Sequence, residues 1–173
     1  LTITEDGSDR LARELEEGRL DLALLVEDAG LPREGFEFLL RERIVVALPA
    51  HHPLSRRPAV SLEDLREEKF ILCREGYHLR HLTLEACAAA GFAPRVAVSG
   101  TDVDTALRFV HAGLGITLIP ESAAGSVQGI STCLLENPPL YRRVGIAWNP
   151  GRYLSRAAAA LRDFLREACR QEV

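Results

Sequence analysis

Residues 106–120 have the sequence ALRFVHAGLGITLIP, an apolar helical stretch followed at once by an apolar strand. The helix is expected to stop at Gly113, because glycine readily adopts the left-handed conformation that ends helices. Gly115 then permits a tight turn, and Pro120 ends the strand that begins at Ile116. The two glycines are too few for a dinucleotide fingerprint, which would also precede a helix. The stretch therefore predicts one helix–turn–strand unit of an α/β fold.

Strands and helices alternate on both sides of this unit, which is typical of a parallel α/β sheet. Hydrophobic periodicity and helix boundaries predict strands at 1–4, 20–26, 37–40, 44–48, 70–73, 95–98, 116–119 and 140–148, and helices at 9–17, 77–90, 101–112 and 155–170. Ser61 and Asp64 have the spacing of a capping box at a helical turn over residues 62–65. Residues 27–35 are expected to form a loop.

The composition indicates a folded domain without a nucleic-acid surface of its own. Of the 173 residues, 47% are hydrophobic and 27% are charged, and the formal net charge is −4. A domain that grips DNA by itself normally carries an excess of Lys and Arg. No apolar run approaches the roughly 20 residues that span a bilayer. The four cysteines form no CxxC pair, so we expect free thiols, no structural zinc and no disulfides.

Three motifs together resemble the effector-binding domain of LysR-type transcription regulators. They are LEEGRLDLAL (15–24), VALPAHHPL (46–54) followed by LEDL (62–65), and the stretch at 106–120. Each motif alone has a simpler explanation as a helix stop or a turn. Their order and separation extend the resemblance over most of the chain.

The resemblance implies an α/β, two-lobed fold of the type 2 periplasmic-binding-protein class, which is Rossmann-like and has a hinge. Lobe I would comprise residues 1–67 and 145–173, and lobe II would comprise residues 68–144. The resemblance also implies that a winged helix-turn-helix, a linker helix and one further strand and helix precede Leu1. Lobe I would then be N-terminally truncated and incomplete.

The same resemblance implies a regulatory function. A small-molecule effector, such as an organic acid, would bind the interlobe cleft and favour one closure state. Such domains pair as homodimers or tetramers, and DNA would be contacted only through the absent N-terminal part. We expect a cytoplasmic protein with no membrane contact, no cofactor and no enzymatic activity, since the sequence has no GxSxG, HExxH or phosphate-loop motif. The alternative is a free-standing solute-binding protein or transport component of the same fold.

The expected ligand-binding residues follow from a general rule and from the resemblance. In open α/β sheets, ligands bind beyond the carboxyl ends of the strands, beside helix N-termini whose dipoles favour anions. By the family resemblance, the residues expected to line the cleft are Ser8, Arg74, Gly76, Tyr77 and Thr101. Two alternatives stay open. Ser8 and Thr101 can instead cap helices, and Arg74 can pair at the surface with the glutamate that follows it.

Peroxide sensing and metal binding are not expected. Residues 73–87 resemble the peroxide-sensing members of the family, whose reactive cysteine would fall at His78 and whose resolving cysteine would fall near Cys87. An imidazole cannot form a sulfenic acid. His78 and His81 stand three residues apart on a predicted helix, but no carboxylate or cysteine joins them at ligand spacing. We therefore expect no metal site and no catalytic residue.

Overall fold

The computed structural model describes residues 1–27 and 35–170, which contain four α-helices and eight strands. In chain order these are α1 (Ser8–Glu16), β1 (Ala23–Val26), β2 (Phe36–Pro49), β3 (Ala59–Val60), β4 (Lys69–Cys73), α2 (His78–Ala89), β5 (Arg95–Thr101), α3 (Val103–His111), β6 (Thr117–Pro120), β7 (Ile130–Leu135), β8 (Tyr141–Ala147) and α4 (Arg156–Arg170). Most of the loop expected at residues 27–35 lies outside the described residues.

The chain divides into two compact units. Unit 1 comprises Leu1–Arg41 and Arg142–Val173, and unit 2 comprises Glu42–Tyr141. The first crossing therefore falls within β2, whereas the sequence predicted it near residue 67. The physical reason is strand pairing: the second half of β2 pairs with β6 and β7, and β3 also pairs with β7. These ladders hold residues 42–67 in unit 2. The predicted hinge stays a prediction.

In unit 1, helix α1 packs against a small sheet. Leu11 and Leu15 are spaced i, i+4 and form one apolar face, which is buried with Leu25 of β1. Strand β1 runs antiparallel to β8. Gly18 follows the helix with a φ of +74°, a left-handed conformation that ends helices.

In unit 2, β2, β3, β6 and β7 lie in one mixed sheet and β4 and β5 form a second sheet of two strands, where the sequence predicted a single parallel sheet. β5 and β4 are parallel, and β4 is joined to the segment before β6 by a parallel bridge between Phe70 and Ile116. β2 runs antiparallel to both β6 and β7. A continuous apolar run suits either orientation when both faces of a strand are buried, so the apolar pattern could not distinguish them.

Two helices cover opposite faces of β4 and of the strands beside it. Leu79 and Cys87 of α2 are buried with Phe70 and Leu72 of β4. On the other face, α3 buries Ala106 and Val110 against Ile71, and Leu107 against Val45 and Ala47 of β2. Successive strand residues therefore contact opposite helices, as the strand period of two requires.

Three further strand predictions need correction. Residues 1–4 do not form a strand, and Leu1 and Ile3 are 101% and 82% exposed. The stretches 37–40 and 44–48 belong to one continuous strand, β2. Strand β7 was not predicted.

The capping box is confirmed, because the Asp64 carboxylate accepts the Ser61 N–H at 2.8 Å while the Ser61 hydroxyl oxygen accepts the Asp64 N–H at 3.3 Å.

Candidate functional site

Strands β4 and β5 end side by side in unit 2. Cys73 pairs with Thr101 at the end of the parallel ladder, and the Arg74 N–H donates to the Thr101 carbonyl at 2.9 Å. The segments that follow the two strands therefore begin at the same edge of the sheet. Four of the five predicted ligand-binding residues lie at this edge, which we call the strand-end site (residues 74–77 and 99–102, with Arg80).

Arg74 and Tyr77 contact each other in the segment after β4. The guanidinium donates to the Tyr77 hydroxyl at 2.6 Å, and its carbon lies 4.8 Å from the centroid of the tyrosine ring. Gly76, between them, has a φ of +83°, a conformation that glycine adopts with little strain. The glycine thus makes the turn that brings the two side chains together. Pairing of Arg74 with the glutamate that follows it stays an alternative.

Thr101 is buried, and the alternative that it caps α3 is wrong. Its hydroxyl donates to the Asp102 carbonyl at 3.3 Å. Asp102 is the N-cap, and its carboxylate accepts the Thr105 N–H at 2.7 Å. This bond is the main reason that the pKa of Asp102 is lowered, and the positive charge of Arg74 adds to the effect. The site therefore contains a carboxylate that the sequence analysis missed.

Ser8 lies in unit 1, at the first residue of α1. Gly7 is the N-cap of this helix and no side chain caps it, so the capping alternative for Ser8 is wrong. The Ser8 hydroxyl oxygen instead accepts the Val26 N–H, at 3.4 Å, from the end of β1. Whether Ser8 contacts a ligand stays a prediction.

Arg80 and Ser99 are further polar residues of the strand-end site that the sequence analysis missed. One guanidinium nitrogen of Arg80 donates to the Cys73 carbonyl at 3.1 Å and to the Ser99 hydroxyl at 2.7 Å. A signal for Arg80 did exist in the sequence. A cation in the first turn of a helix is disfavoured by the helix dipole, so an arginine there indicates a specific acceptor.

The thiols near this site are buried and protonated. Burial raises the pKa of both Cys73 and Cys87 to about 11, and both side chains lie in the core of unit 2. Reactive cysteines need a low pKa and solvent access, and these two have neither.

Within the described ranges, no group of three or more His, Cys, Asp or Glu side chains is placed to hold a metal ion.

Two depressions lie away from the strand ends. One, of about 140 Å³ in unit 1, is mostly apolar and is lined by residues of α1, β1 and the segment 147–150. The other, of about 240 Å³ in unit 2, is at the amino ends of β4 and β6, where His52 contacts Glu68 at 3.2 Å.

In residues 1–27 and 35–170, no helix combines the length and the apolar character needed to cross a membrane.

Comparison with known proteins gives one consistent family. The family model described as "LysR substrate binding domain" matches residues 1–170. The transcriptional dual regulator GltC of Bacillus subtilis is 37% identical over 131 residues, which are 75% of this chain and 44% of GltC. A probable hydrogen peroxide-inducible genes activator of Mycobacterium leprae is 35% identical over 156 residues, 86% of this chain and 49% of that protein.

A solved structure has the same fold. It is the C-terminal domain of a probable LysR family transcriptional regulator from Rhodococcus sp. RHA1, with a TM-score of 0.81 and 32% identity over 93% of this chain and 81% of that one. The chain spans about half the length of the curated relatives it matches. Both relatives are named as regulators of gene expression. Since the family model covers nearly the whole sequence, this chain belongs to the LysR substrate-binding-domain family.

Proposed function

We propose that this chain is the ligand-sensing domain of a LysR-type transcription regulator, and that its effector is a small organic acid. Membership of the family supports the regulatory role, and the strand-end site supports the kind of ligand. DNA would be contacted by a separate domain of the full-length protein. The regulatory names of the relatives favour this function over a free-standing solute-binding or transport protein.

The single observation that carries the effector class is the meeting of Arg74, Gly76, Tyr77 and Thr101 beside the N-terminus of α2. Helix α2 has no side-chain cap at its N-terminus and no acidic residue in its first turn, so its dipole is available to an anion. The exposed Arg74 guanidinium can present parallel N–H groups to a carboxylate. The Tyr77 and Thr101 hydroxyls can both donate and accept. A small acid therefore finds both charge and hydrogen-bonding complementarity here.

Ser8 is the proposed contact from unit 1. Binding in a cleft between two lobes, which the family resemblance implies, stays part of this proposal. An effector would regulate only through its different affinities for two states of the domain. Cysteine chemistry plays no part in the proposal, since Cys73 and Cys87 are buried and have raised pKa values.

We further propose that the domain binds its effector without transforming it. Two polar groups of the strand-end site hold the structure together and are not offered to a substrate: Asp102 caps α3, and Arg80 bonds the strand ends. A homodimer or tetramer is the proposed assembly of the full-length regulator, as the family resemblance implies. The cytoplasm is its proposed location, because regulation requires access to DNA.

The test uses the full-length protein. A thermal-shift screen against small mono-, di- and tricarboxylates should find at least one acid that raises the melting temperature, because a ligand that binds only the folded state stabilises it. That acid should change the affinity of the protein for DNA fragments selected from its own genome. Turnover of the acid during incubation, or a failure of every acid to stabilise the protein, would contradict the proposal.

A further inference from the structure

Arg80 joins three elements of the strand-end site through one guanidinium nitrogen. It lies in the first turn of α2. Its Nη1 donates to the Cys73 carbonyl, the last residue of β4, at 3.1 Å, and to the Ser99 hydroxyl of β5 at 2.7 Å. The same side chain therefore connects a helix start and two strand ends.

The carboxyl end of the β4–β5 ladder is held only weakly by its own strand pairing. Its register shifts between Phe70 and Ile71 and again between Leu72 and Cys73, and irregular ladders hold strands less firmly. Within the described part of the chain, β5 pairs with β4 alone. Most β5 residues are exposed, and the buried Thr101 lies at the end of the strand. Few apolar contacts therefore keep the end of β5 in place.

An arginine is poorly suited to the first turn of a helix unless it has acceptors. The positive end of the helix dipole disfavours a cation there, and ordering a long side chain costs conformational entropy. Two hydrogen bonds from a charged donor, which are stronger than neutral ones, offset both costs. The position of Arg80 is therefore explained by the bonds that it makes.

We propose that Arg80 is a positioning residue that holds the segments carrying Arg74, Tyr77 and Thr101 in one geometry before an effector arrives. It acts through the Cys73 carbonyl and the Ser99 hydroxyl. The inference rests on the proposed function, because it assumes that the fixed geometry of these segments serves effector binding. A site held in its binding geometry loses less entropy when a ligand binds.

Amide hydrogen exchange in the full-length protein tests the role without any effector. The reporting amides are those of Arg74, Tyr77 and Thr105, which are bonded within the strand-end site. The reference amides are those of Ile71 and Ile116, which lie deeper in the same sheet. In Arg80→Gln, exchange of the reporting amides should accelerate on the order of tenfold, the effect of losing a charge-assisted bond. The reference amides should keep their wild-type rates.

Three matched variants complete the experiment. Ser99→Ala removes one of the two acceptors and should accelerate the same amides by a smaller factor. Arg80→Lys keeps the charge and should restore part of the protection. Arg108→Gln removes an exposed arginine from the neighbouring helix α3 and should change nothing. If Arg80→Gln does not fold, Ser99→Ala decides the question.

Uniform acceleration of reporting and reference amides would overturn the inference, because Arg80 would then contribute only global stability. Unchanged exchange at the reporting amides would overturn it as well. Either result is distinguishable from failure of the proposed function, which appears as the absence of any stabilising acid in the wild-type screen. If a stabilising acid is found, Arg80→Gln should weaken its binding several-fold, and unchanged affinity would contradict the assigned purpose.

Discussion

The carboxylate of Asp102 accepts the backbone N–H of Thr105 at 2.7 Å and begins helix α3. Replacing Asp102 by alanine should lower the free energy of unfolding by about 1 kcal/mol, the usual effect of losing a helix cap. Asp102→Asn should retain most of the stability, because an amide oxygen can accept the same bond. Urea denaturation at pH 7 measures both. Asp104→Ala, which removes an exposed acid from the same helical turn, should have a smaller effect, and an equal effect would contradict the assigned cap.

The same bond makes stability depend on pH. The bond to the Thr105 amide holds the pKa of Asp102 below its usual value. A carboxyl with a lowered pKa in the folded state stabilises the fold above its unfolded-state pKa, and that contribution is lost as the pH falls through the folded-state pKa. The difference in unfolding free energy between wild type and Asp102→Asn should therefore change between neutral and acidic pH. A constant difference over that range would show that the Asp102 charge contributes nothing.

Arg74 is the residue whose loss should most weaken effector binding. Arg74→Gln keeps a polar side chain but removes the charge, and hydrogen bonds to charged groups are worth about 1.5–3 kcal/mol. We expect the affinity for the acid found in the thermal-shift screen to fall by roughly tenfold or more. Isothermal titration calorimetry measures this, with Arg108→Gln as the control. Equal affinities of the two variants would remove Arg74 from the site.

Gly113 and Gly115 should respond differently to substitution by alanine. A Cβ at Gly115 would lie 2.3 Å from the Lys69 carbonyl oxygen, which belongs to β4 and cannot move freely. We expect Gly115→Ala to lower the free energy of unfolding by about 2–3 kcal/mol, as overpacking does. A Cβ at Gly113 would meet no atom within 4 Å, but the φ of +77° costs about 1 kcal/mol for alanine. Denaturant titration compares the two, and the reverse order would refute this explanation of the turn.

Cysteine reactivity should follow burial. Cys73 and Cys87 have pKa values of about 11, so only about one thiol in ten thousand is ionised at pH 7. Iodoacetamide followed by mass spectrometry should modify Cys169, which is partly exposed on α4, well before either of them. Hydrogen peroxide should produce no disulfide between Cys73 and Cys87. Detection of that disulfide in the folded protein would contradict the exclusion of peroxide sensing.

Arg66 should stabilise the C-terminal end of α2. Its guanidinium donates to the carbonyls of Ala90 and Gly91, both at 3.1 Å, and lies 5.1 Å from the centroid of the Phe92 ring. Arg66→Ala should lower the melting temperature by a few degrees, corresponding to about 1 kcal/mol. Arg56→Ala, which removes an exposed arginine from the turn Pro53–Arg56, serves as the control. Equal shifts would indicate a general charge effect.

Much of the site could be predicted because it depends on rules that act along the chain. A glycine between Arg74 and Tyr77 predicts a turn after an apolar strand, and a ligand site at the carboxyl ends of parallel strands follows from sheet geometry. Arg80 and Ser99 were missed because they are 19 residues apart and meet only through the β4–β5 pairing. Asp102 was missed because Thr101 and Asp102 are both good caps, and the backbone conformation selects between neighbouring candidates.

The amino-acid sequence by itself determined the four helices, most of the strands and the family. Helix stops, capping residues and apolar periodicity are short-range features, since each depends on neighbours within a few residues. Only the tertiary structure decided where the chain crosses between the two units, which strands run antiparallel and which side chains converge at the ends of β4 and β5. These outcomes depend on pairing between distant segments, and a period of two is the same in both strand orientations.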